Sequence, residues 1–171
     1  MLKKWSKVVD FVFWGCYNGF EIKRGQYRQM LIGTFRHQID EKKRMRVPTK
    51  LKEELGAGFI VTKGTNGCLF AFSKESFETE VIEKTKSISI FDSEAQKPLR
   101  VLMSSAFETE EDNQGRILIP QELRTFASIT KKIVFVGVGA RMEIWAEEAW
   151  DKYNEGTNFD DATASLAKMG V

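Results

Sequence analysis

The residues best suited to chemistry stand in two runs of one form, Asp40-Glu41-Lys42-Lys43-Arg44 and Asp112-Asn113-Gln114-Gly115-Arg116. Each leads through a short apolar stretch to a proline, Pro48 or Pro120. An aspartate opening a turn accepts backbone N–H bonds inside it. An arginine four positions later leaves the turn at the start of the returning strand, where its planar fork matches a carboxylate, a phosphate or a guanine edge. In a single copy, an ordinary hairpin turn with an Asp–Arg surface pair accounts for the pattern equally well. Its recurrence with aspartate, arginine and proline retained favours a shared role.

Local charge separates the two copies. Residues 36–52 hold seven basic side chains (Arg36, Lys42, Lys43, Arg44, Arg46, Lys50, Lys52) against Asp40 and Glu41. The matching window, 108–124, holds five acids against Arg116 and Arg124. Only the first window can attract a phosphate backbone well, so the first copy is expected to carry most of any nucleic-acid affinity. If double-stranded DNA is the partner, an Arg44 fork that reached a guanine edge would discriminate bases, while Lys42, Lys43 and Arg46 would mostly hold phosphates.

Other chemistry finds little support. His37 is the only histidine and reads as structural. Cys16 and Cys68 lack an activating histidine context, and Cys68 reads as a small buried hydrophobe. Gly56-Ala57-Gly58 and Gly137-Val138-Gly139 lack the rest of a dinucleotide fingerprint, and Gly64 to Gly67 lacks the Lys-Ser/Thr of a phosphate loop. Trp145, Trp150 and Phe77 suit packing better than base stacking. Neither an enzyme nor a cofactor or metal is expected.

The elements that must position the two runs form an internal repeat. Aligning Asp40 with Asp112 (112 − 40 = 72) places Phe35 on Phe107, Arg44 on Arg116, Pro48 on Pro120 and Leu51 on Leu123. One residue of slippage, a shift of 73, then places Ile60-Val61 on Ile133-Val134, Gly64 on Gly137, Phe72 on Trp145 and Phe77 on Trp150. Each copy predicts a strand ending at the aspartate (Phe35 to Ile39 in the first) and a returning strand, Met45–Val47 or Ile117–Ile119. The proline is expected in the first turn of a short helix, which in the first copy is stopped by Gly56. A hairpin follows, turning at Thr65-Asn66-Gly67 or at Gly137-Val138-Gly139-Ala140. Ser73 is a candidate cap for a helix carrying Phe77 and Val81.

Half-domains this small cannot bury a good core alone. Two copies in one chain therefore suggest a single pseudo-twofold barrel with interleaved hairpins, which also hides strand edges. The expected fold is mainly β with short helices, an α+β barrel of swapped hairpins. Its parts are repeat one at 34–78, a helical linker at 79–105, repeat two at 106–149, and a C-terminal helix end with a fraying tail at 150–171.

Bulk properties agree with a soluble globular chain: 171 residues, 42% hydrophobic, 29% charged, net charge +2. Two distant cysteines fit a reducing cytoplasm. Lys3, Lys4 and Lys7 precede an apolar stretch from Val8 to Cys16, but Asp10 interrupts it and a membrane helix needs about 20 residues. Trp14-Gly15-Cys16 fits a lipoprotein cleavage site poorly because Trp14 is bulky. Residues 1–29 read as an extension unrelated to the fold, and no membrane partner is expected.

Met30-Leu31-Ile32-Gly33-Thr34-Phe35, with His37, Asp40, Lys42, Arg44 and Pro48, resembles the opening of the MraZ family. Asp112-x-Gln114-Gly115-Arg116-Ile117-Leu118-Ile119-Pro120, with Val136-Gly137-Val138-Gly139 and Glu143-Ile144-Trp145, resembles its second half. The resemblance covers residues 30–153. It implies an AbrB-like swapped-hairpin barrel, assembly into ring-shaped homo-oligomers, and binding of double-stranded DNA at short repeats ahead of the protein's own gene. It further implies repression of that promoter and of a division and cell-wall gene cluster, and a nucleoid-associated, cytoplasmic protein. Arg44, Lys42 and Arg116 are the DNA-contacting residues it carries over; Lys43, Arg46 and Gln114 flank them, with Asp40, Asp112, Gly115, Pro48 and Pro120 shaping the turns. Lys43 stands where the family pattern has a turn glycine, so that turn must avoid positive φ or bear strain. The alternative reading is an antitoxin-like barrel whose partner is another protein.

Overall fold

A computed structural model describes residues 30–156 and 158–170, so the readings of residues 1–29 lie outside the described residues. Among the described residues, eight strands and six helical runs follow the repeat. Strand β1 (Leu31–Gln38) leads to the first turn, β2 (Arg44–Arg46) returns from it, and helix α1 (Thr49–Leu55) follows. Strands β3 (Ile60–Lys63) and β4 (Leu69–Phe72) form the first hairpin. A helical run, α2 (residues 74–85), widens into a π-type turn over Glu78–Ile82, and α3 (Ser93–Ser105) completes the connection. The second copy supplies β5 (Phe107–Glu108), β6 (Arg116–Leu118), α4 (Gln121–Phe126), β7 (Lys132–Gly139), β8 (Arg141–Ala146) and α5 (Glu147–Asn154). Helix α6 (Phe159–Lys168) ends the described chain.

The hairpins are swapped between copies. The large sheet runs β1-β7-β8-β4-β3-β5, and a second, two-stranded sheet pairs β2 with β6. Each first strand therefore pairs with the other copy's third strand: β1 lies on β7 and β5 on β3. The order reads the same from both ends once the copies are exchanged, as a pseudo-twofold requires. Register locates the axis. Met45 faces Ile117, and Phe70 faces Glu143; each pair joins two positions equivalent by the repeat. The axis thus enters at the β2–β6 pair and leaves at the β4–β8 pair.

Between these points lies the core, built from buried apolar residues of both copies, among them Met45 with Ile117, Leu51 with Leu123, and Val61 with Ile133 and Phe135. Strand β7 is buried on both faces: Ile133 and Phe135 join the main core, while Val134 and Val136 pack with Cys68 and Trp145 in a second cluster. This explains its unbroken apolar run, since a strand covered on both sides need not alternate. The aromatic clasp at each copy's end also repeats. Phe72 meets Phe77 edge-on at 5.9 Å, and Trp145 meets Trp150 at 5.5 Å.

Several local expectations shift. Strand β1 starts at Leu31, upstream of Phe35, because Leu31 is itself buried against β7. Pro48 and Pro120 occupy the cap position one residue ahead of the first turn. Their extended ψ (132° and 146°) places each carbonyl to receive helix N–H groups, as when Pro48 accepts from Lys52 N at 2.9 Å. The first hairpin turns at Asn66-Gly67, both at positive φ (55° and 76°), and Cys68 N donates to the Thr65 carbonyl at 3.1 Å. The second turns at Gly139-Ala140; Gly137 lies inside β7, where it admits the β1 backbone. The tail beyond Asn154, expected to fray, instead forms α6, with the Asn158 side chain accepting from Asp161 N at 2.8 Å. Ser73 caps α2 by accepting from Ser76 N at 3.0 Å.

Candidate nucleic-acid interface

The two Asp-x-x-x-Arg runs, 72 residues apart in sequence, meet beside the axis because β2 and β6 pair. Both turns close alike. Lys43 N donates to the Asp40 carbonyl and Gly115 N to the Asp112 carbonyl, each at 2.9 Å. The third residue past each aspartate is left-handed, Lys43 at φ 63° and Gly115 at φ 69°. The lysine therefore bears the strain that its position implies, and it is exposed at the turn tip.

Four side chains lock these turns together. Asp40 accepts from Arg44 N and Arg44 Nε, both at 2.9 Å, and Asp112 accepts from Arg116 N at 3.0 Å and Arg116 Nε at 2.8 Å. Arg44 Nη1 then crosses to Asp112 Oδ2 at 3.0 Å, while Arg116 Nη1 reaches toward Asp40 Oδ2 at 3.7 Å. The charge-assisted bonds shift the acids. The Arg116 guanidinium, then the backbone N–H groups of Arg116 and Gln114, hold the Asp112 carboxyl down at about 2. The Arg44 backbone N–H, followed by its guanidinium, lowers Asp40. Arg44 and Arg116 are thus partly engaged by carboxylates in the free protein.

The basic window divides on folding. Arg36 pairs with Glu147 at 3.0 Å and Asp151 at 2.6 Å on α5, Arg44 with the two aspartates, and Lys52 with Glu111 at 2.6 Å. Lys42, Lys43, Arg46 and Lys50 remain exposed, and among the described residues none of them has an ion-pair partner. Arg46 is held in place by donating from Nη2 to the Gln114 carbonyl at 2.7 Å, which ties it to the second turn. The Gln114 and Gly115 backbones therefore belong to the same surface as the lysines. Pro48 is buried beneath it, and Pro120 is exposed.

Sequence reasoning missed Arg124, the repeat equivalent of Lys52. Its Nε donates to the Ile119 carbonyl at 3.0 Å, and no carboxylate pairs with it among the described residues. The repeat alignment itself carried the signal, since Lys52 and Arg124 are both basic. Elsewhere, His37 packs edge-on against Phe135 at 5.7 Å, and Trp145 Nε1 donates to Glu143. Among the described residues no helix is long and apolar enough to cross a membrane.

Fold and site together define a swapped-hairpin barrel of two tandem halves, with an Asp–Arg lock and an asymmetric basic tip. The family model described as "MraZ protein, putative antitoxin-like" matches residues 30–101 and again 102–169. A protein of Caldanaerobacter subterraneus named transcriptional regulator MraZ is 42% identical over 144 residues, covering 83% of this chain and all of the relative. Relatives of the same name from Limosilactobacillus reuteri and Desulforamulus reducens are each 46% identical, covering 80% and 73% of this chain and 97% and 87% of their own. This chain belongs to the MraZ family.

Proposed function

We propose that the chain is a DNA-binding transcription regulator that sets its first turn against double-stranded DNA. Lys42, Lys43 and Arg46 hold phosphates, and Lys50 extends the same basic face. Arg44, Arg116 and Gln114 lie nearest the base edges. Either arginine can offer a full fork to a guanine only by releasing a carboxylate, so the lock sets how readily the base is read. Assembly into a ring-like homo-oligomer would bring several such tips onto adjacent short repeats and raise affinity through effective concentration. The regulated target in this reading is the protein's own promoter, with a division and cell-wall gene cluster behind it, under repression in the nucleoid.

The observation that carries the reading is the set of exposed cations on and just after the first turn, Lys42, Lys43, Arg46 and Lys50, which have no carboxylate partner among the described residues. The names of the relatives support it. The test is fluorescence anisotropy with the gene's own upstream duplex across a salt series. Removing one phosphate ligand, as in Lys42→Ala or Arg46→Ala, should flatten the log–log salt slope by about 0.9. Arg44→Ala should weaken binding more than Arg116→Ala, because the cations cluster on its side. A folded, assembled protein that ignores this duplex at low ionic strength overturns the proposal.

A further inference from the structure

The pseudo-symmetry breaks at one place with chemical consequences. A cleft of about 670 Å³ lies between the first turn and the end of α4; beside the apolar Ile129 its lining holds Lys43, Gln121, Arg124, Thr125, Ser128 and Thr130, with no carboxylate among them. The equivalent place in the other half carries Gly115, Thr49, Lys52 and Glu53. There Lys52 Nζ lies 3.2 Å from where a Gly115 Cβ would stand and is neutralised by Glu111 at 2.6 Å. In the open cleft Arg124 keeps the charge of Lys52, but Lys43 stands for Gly115, Thr125 for Glu53, and Ile39 for Glu111. On one side Lys52 lies against the turn and is paired with Glu111, whereas the other side is an open cleft whose lining carries two cations and three hydroxyls.

Two of the three non-glycine residues at positive φ among the described residues, Lys43 (63°) and Ser128 (53°), line this cleft. The negative end of α4 is already capped, since Ser128 N donates to the Thr125 carbonyl at 3.1 Å and Ile129 N to the Arg124 carbonyl at 2.8 Å. The bond from Arg124 Nε to the Ile119 carbonyl anchors the guanidinium and leaves its Nη groups for a ligand.

We propose that this cleft is a phosphate-binding site formed by Lys43 and Arg124 with the hydroxyls of Thr125, Ser128 and Thr130. Its occupant is a backbone phosphate of bound duplex, which rests on the function proposed above, or the phosphate of a free ligand. The arrangement suits a tetrahedral oxyanion, because two cations from different copies share one cleft lining with hydroxyl-bearing side chains. Because Lys43 stands where the second copy has Gly115, the site belongs to one side of the barrel and has no counterpart on the other.

The test uses the full-length ¹⁵N-labelled chain in two arms. In the first, inorganic phosphate is titrated at constant ionic strength against chloride. Saturable shifts are expected at the Lys43 and Ser128 amides and at Arg124 Nε–H, and they should vanish in Thr125→Glu, which copies the acid of the opposite side at an exposed position. In the second, the salt slope of duplex binding should flatten by about 0.9 in both Arg124→Gln and Thr125→Glu if a backbone phosphate sits there. An unchanged slope with saturable, Thr125→Glu-sensitive phosphate shifts assigns the site to a free ligand. Phosphate shifts no different from chloride, with unchanged slopes in both folded variants, overturn the site. Lys42→Ala separates that failure from failure of the DNA reading, because it alters the slope only if duplex is bound at all.

Discussion

Arg44 and Asp112 lie 68 positions apart and meet at 3.0 Å, Nη1 to Oδ2, beside the pseudo-twofold axis. The mirror contact between Arg116 and Asp40 stretches to 3.7 Å, so the lock is closed on one diagonal and loose on the other. A double-mutant cycle on Arg44→Ala and Asp112→Asn should show a clear favourable coupling in the urea midpoint, and one on Arg116→Ala and Asp40→Asn a smaller coupling. Equal couplings would mean that the asymmetry does not persist in solution.

The same carboxylates make stability depend on acid. Asp112 is held at about 2 by Arg116, and an unfolded aspartate titrates at about 3.9. Its lowered folded value contributes stability that is present above the unfolded value and is lost as the pH falls through about 2. Asp40 shifts in the same direction. Urea unfolding followed downward from about pH 5 should therefore show stability falling more steeply below about pH 4 in the wild type. Asp112→Asn should remove part of that slope while leaving the slope above about pH 5 unchanged.

Lys43 couples stability to binding. A left-handed lysine costs roughly 1–2 kcal/mol. Glycine removes that strain but gives back about 0.4–1 kcal/mol through its freer unfolded chain. Lys43→Gly should therefore stabilise the fold by about 0.5–1 kcal/mol in chemical denaturation. It should also weaken duplex binding and flatten its salt slope, because a phosphate ligand goes with it. Gly115→Ala should destabilise by about 1 kcal/mol, since φ is 69° there. Strain retained at a tip cation is the pattern expected of a functional position.

Local chemistry was legible in the sequence, and partner choice was less so. The turns announced themselves because an aspartate, a left-handed residue and an arginine satisfy each other within one short run. Interleaving could be expected from the size of the halves, yet the Met45–Ile117 register that places the axis depends on contacts across the whole chain. The division of the basic window was invisible for the same reason: Arg36 finds Glu147 and Asp151 on α5, and Lys52 finds Glu111, all distant in sequence. Gly137 and Gly139 both read as turn glycines; only packing shows that Gly139 serves the turn and Gly137 a strand crossing. Helix α6 was missed, the segment being read as a fraying tail, although Asn158 precedes Asp160 and Asp161 as a cap and first-turn acids should.

Cys68 should be chemically silent while the protein is folded. It is fully buried, and burial followed by the nearby Glu143 carboxylate pushes the thiol up to about 12. Only the thiolate attacks alkylating reagents, so at neutral pH both ionisation and access oppose reaction. In a Cys16→Ser background, iodoacetamide labelling should proceed only as fast as the second cluster opens, and denaturant should accelerate it steeply. Rapid labelling of the native protein would mean that β4 and β8 separate far more often than their packing indicates.

Gly137 tests the link between barrel closure and the functional tip. A Cβ there would stand 2.4 Å from Ile32 N and 2.5 Å from the Leu31 carbonyl carbon, so Gly137→Ala must displace backbone. The cost should be about 3 kcal/mol, at the upper end of overpacking in a close-packed interior. Gly139→Ala has open space around its Cβ and should cost only the left-handed strain, about 1 kcal/mol. The displacement falls at the start of β1, whereas Asp40 follows its other end, where Ile39 N donates to the Lys131 carbonyl at 2.9 Å. Hydrogen exchange in Gly137→Ala should therefore accelerate at Ile32 and Thr34 first. If the amides of Ile39 and Arg44 open equally, β1 frays as one unit and carries the first turn with it. Duplex affinity should then fall in step with stability, with the salt slope unchanged, since no cation has been removed.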